Sequence, residues 1–112
     1  MRDGALTMRS LLETSANFTE IEPIFKSYVQ FVIKTGSEED PNDQDILTEP
    51  KFNLPDGDVF TDPWCRPQND GPGLQGIALI KFANILMKNG EEDYVKVWLY
   101  TLLTYYSLII KC

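Results

Sequence analysis

The sequence predicts an all-α fold of about four helices interrupted by one long loop. Three observations lead there. Apolar residues recur at helical spacing in four stretches. No stretch keeps the strict apolar–polar alternation of a half-buried strand. Five of the seven prolines and much of the acid fall between Gly36 and Gly71, where no helical period survives.

The first helix is expected over about Gly4 to Glu13, with Asp3 as N-cap and Ala5, Met8 and Leu12 on one face. The second runs over about Glu20 to Thr35. Thr19 and Glu22 have capping-box spacing, and Pro23 falls in the first turn, where its missing N–H is tolerated. Ile21, Ile24, Phe25, Tyr28 and Val32 form its stripe, and Gly36 is placed to end it in the left-handed conformation. The loop 36–71 follows. It is longer than compact domains usually carry without a function, and Phe52, Phe60 and Trp64 predict that its second half packs on something. The third helix opens near Pro72, capped by Asn69 or Asp70, and closes at Asn89-Gly90. Leu74, Ile77, Ala78, Phe82, Ile85 and Leu86 line one side. The fourth starts near Glu91 and carries Val95, Trp98, Leu102, Tyr106 and Ile109. It is apolar nearly all round and so needs burial on most faces.

Composition narrows the function. The chain has 112 residues, 43% hydrophobic and 24% charged, as a globular domain does. A net charge of -7 argues against partners that are duplex nucleic acid or an anionic membrane surface, since both are held by cationic side chains. With no histidine, these residues supply no Ser-His-Asp or Cys-His catalysis and no histidine-ligated metal. Cys65 and Cys112 are too few for a disulfide scaffold. No signal-peptide pattern opens the sequence, and the apolar run from Val97 to Ile110 is shorter than the roughly 20 residues of a membrane span. Asn17-Phe18-Thr19 is a glycosylation sequon of little weight alone.

Special residues are densest from Trp64 to Pro72. This segment offers a flat apolar ring (Trp64), a planar cationic fork (Arg66), amides and a carboxylate, on a backbone restrained by prolines and a glycine. Such groups suit a sugar, whose C–H face stacks on an aromatic ring and whose hydroxyls take bidentate hydrogen bonds. They also suit a rigid loop that ends in a helix cap, with Trp64 plugging the core, which is the commoner role of a tryptophan. Arg2-Asp3 divides in the same way, between a binding pair and a solvated charge beside a cap.

Glu49-Pro50-Lys51-Phe52-Asn53, followed by Trp64-Cys65-Arg66-Pro67-Gln68-Asn69-Asp70-Gly71-Pro72-Gly73-Leu74, resembles the fungal glucoamylases of glycoside hydrolase family 15. That family carries Glu-Pro-Lys-Phe-Asn and then Trp-Gly-Arg-Pro-Gln-x-Asp-Gly-Pro-Ala-Leu-Arg. Upstream, Arg2-Asp3-Gly4-Ala5-Leu6 is similar to its Trp-x-Arg-Asp-Ser-Ala-Leu segment. The three blocks stand in the family order over about Arg2 to Met87, and the Arg-Pro-Gln-Asn-Asp-Gly-Pro form is similar to fungal and yeast members. The pattern fades after about Trp98.

The resemblance implies that 1–112 is part of the family's catalytic domain, a partial (α/α)6 toroid with its site on the connecting loops. It implies glucose release from the non-reducing ends of α-1,4-glucans such as starch or glycogen, with inversion, so that the partner is an α-glucan or maltooligosaccharide. It implies no cofactor and no metal. Arg2 and Asp3 match the pair that holds the terminal glucose, and Trp64 matches a tryptophan of the subsite wall. Arg66, Gln68 and Asp70 match positions that support the loop. Neither catalytic glutamate is matched, because the family's acid and base lie further along its sequence, and these residues alone are expected to be inactive; the alternative is a non-catalytic glucan- or partner-binding helical fragment. Cys65 replaces a family glycine, Gly73 an alanine and Gln75 an arginine.

Overall fold

The computed structural model describes residues 1–43 and 45–109, with 105–109 described by backbone only. Four α-helices run in order: α1 Arg2–Thr14, α2 Phe18–Gly36, α3 Gly71–Lys88 and α4 Glu92–Ile109. They form two hairpins set side by side, α1 against α3 and α2 against α4. This two-layered arrangement of helical hairpins is that of a partial (α/α) toroid, and it bears out the expected all-α class.

The core lies where the hairpins meet. Phe25 of α2 and Phe82 of α3 stack with ring centroids 4.3 Å apart. Around them pack Met8 from α1, Val29 and Val32 from α2, Leu79 and Leu86 from α3, and Val95, Trp98 and Leu102 from α4. A smaller cluster of Ile46, Leu47 and Val59, with Phe52 against it, sits in the long loop. One 3-10 turn, Ile46–Thr48, and one antiparallel bridge, Phe52 to Val59, order that loop.

Several local expectations are corrected. Asp3 lies inside the first turn of α1 rather than capping it, since Met1 holds the N-cap position. The cap of α2 is two residues earlier than the Thr19–Glu22 spacing suggests. Asn17 Oδ1 accepts from the Thr19 N–H (3.2 Å), and its Nδ2 donates to Glu20 (2.8 Å), so the sequon asparagine is committed to the helix start. Helix α2 closes at Ser37 in right-handed geometry, not at a left-handed Gly36. In its stripe Val29 is buried while Ile24 is exposed, because Ile24 falls at the edge of the face defined by Ile21, Phe25 and Val32. Asp70 does sit at the N-cap of α3, but its side chain makes no capping hydrogen bond there. On α3, Ile77 is exposed, and Gln75 is buried in its place. Helix α4 is buried on one side only: Val97, Tyr100 and Leu103 are exposed. The side chains of Tyr106 and Ile109, and Cys112, lie outside the described residues.

The close of α3 agrees with expectation. Gly90 has φ +86°, which an L side chain rarely tolerates, and the Gly90 and Glu91 N–H groups reach back to the Met87 and Leu86 carbonyls. Among the described residues no helix is long and apolar enough to cross a membrane.

Candidate functional site

Loop 36–71 is organised around a buried ion pair. Glu49 is 1% exposed. Its Oε2 accepts from Arg66 Nε at 2.7 Å and from Asn42 Nδ2 at 3.2 Å, while its Oε1 accepts from the Lys51 N–H at 3.1 Å. Arg66 then spends its remaining donors on backbone, reaching the carbonyls of Phe60, Asp62 and Trp64. Asn42 also donates to the Phe60 carbonyl. A carboxylate out of water is tolerable only when charge-paired and fully hydrogen-bonded, and this one is both. The node thereby joins the start, middle and end of a segment that has almost no regular structure.

The turn 53–58 folds back on itself through Asn53 N–H to Asp58 O and Gly57 N–H to Asn53 O, both 2.8 Å. Gly57 has φ +79°, which favours glycine, and a Cβ there would sit tightly, 3.2 Å from the Phe31 ring. Phe52 meets Phe31 edge-on, with centroids 6.4 Å apart. Phe52 thus packs on α2, as expected, whereas Phe60 and Trp64 pack on each other.

Trp64 does not plug the core. The residue is 54% exposed, and the alternative in which it serves as internal packing is overturned. It stands edge-on to Phe60 at 6.0 Å. The Lys51 ammonium sits in the notch between the rings, 3.7 Å from the Phe60 centroid and 4.0 Å from that of Trp64.

Arg2, Pro63, Trp64, Cys65 and Gln68 line one open depression of about 640 Å³. The amino end of α1 and the Trp64 loop therefore share a cavity, although 62 residues separate them. The junction is close. Gly71 at the start of α3 lies against Met1, which a Cβ there would touch at 3.7 Å, and Met1 N donates to the Pro50 carbonyl at 2.6 Å. Arg2 Nε donates to Asp3 at 3.2 Å, and its NH1 lies 3.5 Å from Asp70. Those two carboxylates, Asp3 by its hydrogen bond first, hold the guanidinium above its usual range.

Of the residues singled out in the sequence, Arg2, Trp64 and Gln68 face the depression, Asp3 and Asp70 flank Arg2, and Arg66 lies behind, clamped to Glu49. Cys65, which replaces a family glycine, is exposed on the cavity wall. Sequence reasoning missed Glu49, Asn42 and Lys51 as the framework of the loop. The Glu-Pro-Lys-Phe-Asn block was a signal for two of them, whereas nothing local marks Asn42. Gln75, in place of the family's arginine, is a neutral amide on a buried site beside Tyr28, Phe31 and Phe52. Among the described residues no cluster of three or more Cys, Asp or Glu side chains is placed to hold a metal ion.

This pairing of a two-hairpin helical sector with an aromatic- and arginine-lined loop face defines the class, and comparison agrees. The chain belongs to glycosyl hydrolases family 15, which residues 1–108 match. The match runs past Trp98, where the resemblance by eye fades. Among its relatives is a probable glucoamylase of Schizosaccharomyces pombe, 38% identical over 88% of this chain and 23% of that protein. Another is glucoamylase-1 of Schizophyllum commune, 38% identical over 84% of this chain and 17% of that protein. Glucoamylase P of Amorphotheca resinae is 52% identical over a shorter stretch, 46% of this chain and 9% of the relative. The chain thus spans about a fifth of the length of the curated relatives it matches along most of its own. No solved structure matches it.

Proposed function

We propose that residues 1–112 are part of the catalytic domain of a glucan-degrading hydrolase, one that releases glucose from the non-reducing ends of α-1,4-glucans with inversion. In this reading the described residues hold sugar rather than transfer protons. One observation carries it: Arg2, Trp64 and Gln68 line a single open depression. The exposed indole offers a face to a pyranose ring, and the guanidinium offers planar donors to vicinal hydroxyls. Asp3 accepts from Arg2 and has a free oxygen for a sugar hydroxyl. Arg66 supports the Trp64 backbone from behind, and Asp70 steadies Arg2 from the start of α3.

Inversion needs a carboxylic acid and a carboxylate facing one another across the scissile bond. The carboxylates beside the depression, Asp3 and Asp70, are both engaged by Arg2, and the family resemblance puts both glutamates elsewhere. A positioned acid or base each contributes about 10²–10⁴-fold. The 112 residues alone are therefore expected to bind maltotriose without cleaving it. Fluorescence titration with maltotriose tests the binding: the exposed Trp64 should respond, and Trp64→Ala should abolish the response. An unperturbed spectrum overturns the reading, and glucose release by the purified chain overturns the division of labour.

A further inference from the structure

The Lys51 ammonium is the unexplained group of this loop. The chain carries seventeen Asp and Glu against ten Lys and Arg, so a cation has an excess of acids to choose from. Lys26, Lys34, Lys81 and Lys96 each pair with one, while Lys88 at the exposed end of α3 stays in solvent. Among the described residues no carboxylate lies within ion-pairing distance of Lys51. Its charge is spent instead on two ring faces at 3.7 and 4.0 Å, well inside the range of a cation–π contact.

The backbone explains how it stays there. The Lys51 N–H donates to Glu49, the acid that also grips Arg66, and the Phe60 N–H donates to the Lys51 carbonyl at 3.1 Å. Arg66 in turn holds the Phe60 and Trp64 carbonyls. Lysine, phenylalanine and tryptophan thus hang from one buried node. Trp64 otherwise projects from a half-open loop, and a free indole would turn about χ1 and χ2. A cation fixed on one side of it leaves the rest of the ring presented to the depression.

We propose that Lys51 is a positioning residue, whose ammonium locks the Trp64 indole against Phe60 in the orientation that a glucan ring would stack on. This deepens the proposed function and rests on it for the identity of the ligand. The test uses the chain with ¹⁵N-labelled indoles, with the Trp64 resonance assigned through Trp64→Phe. Lys51→Met keeps the length and removes the charge, while Lys51→Arg keeps a cation that stacks on rings. In Lys51→Met the Trp64 indole resonance should move and narrow towards that of a free side chain. The Trp98 resonance should stay, which shows that the core is intact. Lys51→Arg should restore the Trp64 position. Maltotriose affinity should fall about three- to tenfold in Lys51→Met and stay within about twofold in Lys51→Arg, as loss of one cation–π contact implies.

A Trp64 resonance unchanged in Lys51→Met overturns the proposal, as does unaltered maltotriose affinity in that variant. Should the Trp98 resonance move as well, Lys51→Gln and Lys51→Arg decide: equal displacement in both means that the cation does not matter, and the proposal fails. If the unsubstituted chain does not bind maltotriose while the indole still follows the charge at position 51, the glucan reading falls and the positioning role stands.

Discussion

Glu49 shows how much one side chain can decide. It is buried against Arg66, Asn42 and the Lys51 N–H, so its removal strands a guanidinium that is itself only 8% exposed. Breaking a buried pair from one side costs about 3–5 kcal/mol, a large fraction of the roughly 5–15 kcal/mol that holds small domains folded. Glu49→Ala is therefore expected to shift the denaturant midpoint sharply, and an unchanged midpoint would remove the node from the account of the loop. Glu13 on α1 is a contrasting case at the surface. The Lys81 ammonium of α3, and then Arg9, hold its carboxyl at about 2, against an ordinary 4.5. A depressed carboxyl stabilises the folded chain above its unfolded pKa. That support drains away as pH falls from about 4.5 through about 2. The group is exposed, so the effect should be modest and screened by salt. Glu13→Gln should flatten the acid limb of the melting temperature between those values, most visibly at low ionic strength. An acid limb identical in both chains would show that the α1–α3 clip contributes nothing.

Helix α3 is the element on which the others converge. It packs on α1, α4 and the 3-10 turn, and its own period is consequently blurred. Gln75, Ala78, Leu79, Phe82, Ala83 and Leu86 are all buried, a wider face than a single stripe. That is why reading the sequence for one face wrongly included Ile77 and passed over Gln75. Phe82 carries most of the join through its stack on Phe25 and a second ring, Phe18, at 6.0 Å. Truncating a buried phenylalanine costs about 3–5 kcal/mol. Phe82→Ala should lower the thermal midpoint by clearly more than Ile77→Ala, which is 44% exposed. Equal effects would mean that the hairpins are not joined through that stack. Helix α2 is tied to the α3–α4 corner differently, by Lys26 to Glu91 at 2.6 Å, with Glu22 and Glu91 raising the lysine above its ordinary range.

The described residues leave an apolar face uncovered between α3 and α4. Leu79, Ile80, Met87, Trp98, Leu99 and Leu103 line an open groove of about 340 Å³ between α3 and α4. Contiguous apolar surface of this kind favours association. Dilute solutions of the 112-residue chain should show concentration-dependent assembly by sedimentation. The Ile80→Lys, Leu103→Lys double substitution, at two exposed positions, should reduce it while leaving Trp64 and Lys51, on a different part of the surface, untouched. A wholly monomeric unsubstituted chain would show that the net charge of -7 outweighs the groove.

Helix number, helix order and the place of the long loop followed from the chain itself, because apolar periodicity and proline placement are local properties that survive any arrangement in space. The three sequence blocks likewise identified the family, since each is a short run of residues read in order. What the chain could not reveal alone is which partners those residues meet. That Trp64 faces outward, that Arg2 shares its cavity, and that Asp70 turns from capping α3 to Arg2 all depend on α1 docking beside the start of α3. The pairing of Glu49 with Arg66, and of Lys51 with two rings, depends on a loop closing over distances at which sequence carries no spacing rule. Burial and charge pairing are decided by what arrives from elsewhere, and only the packed molecule brings it there.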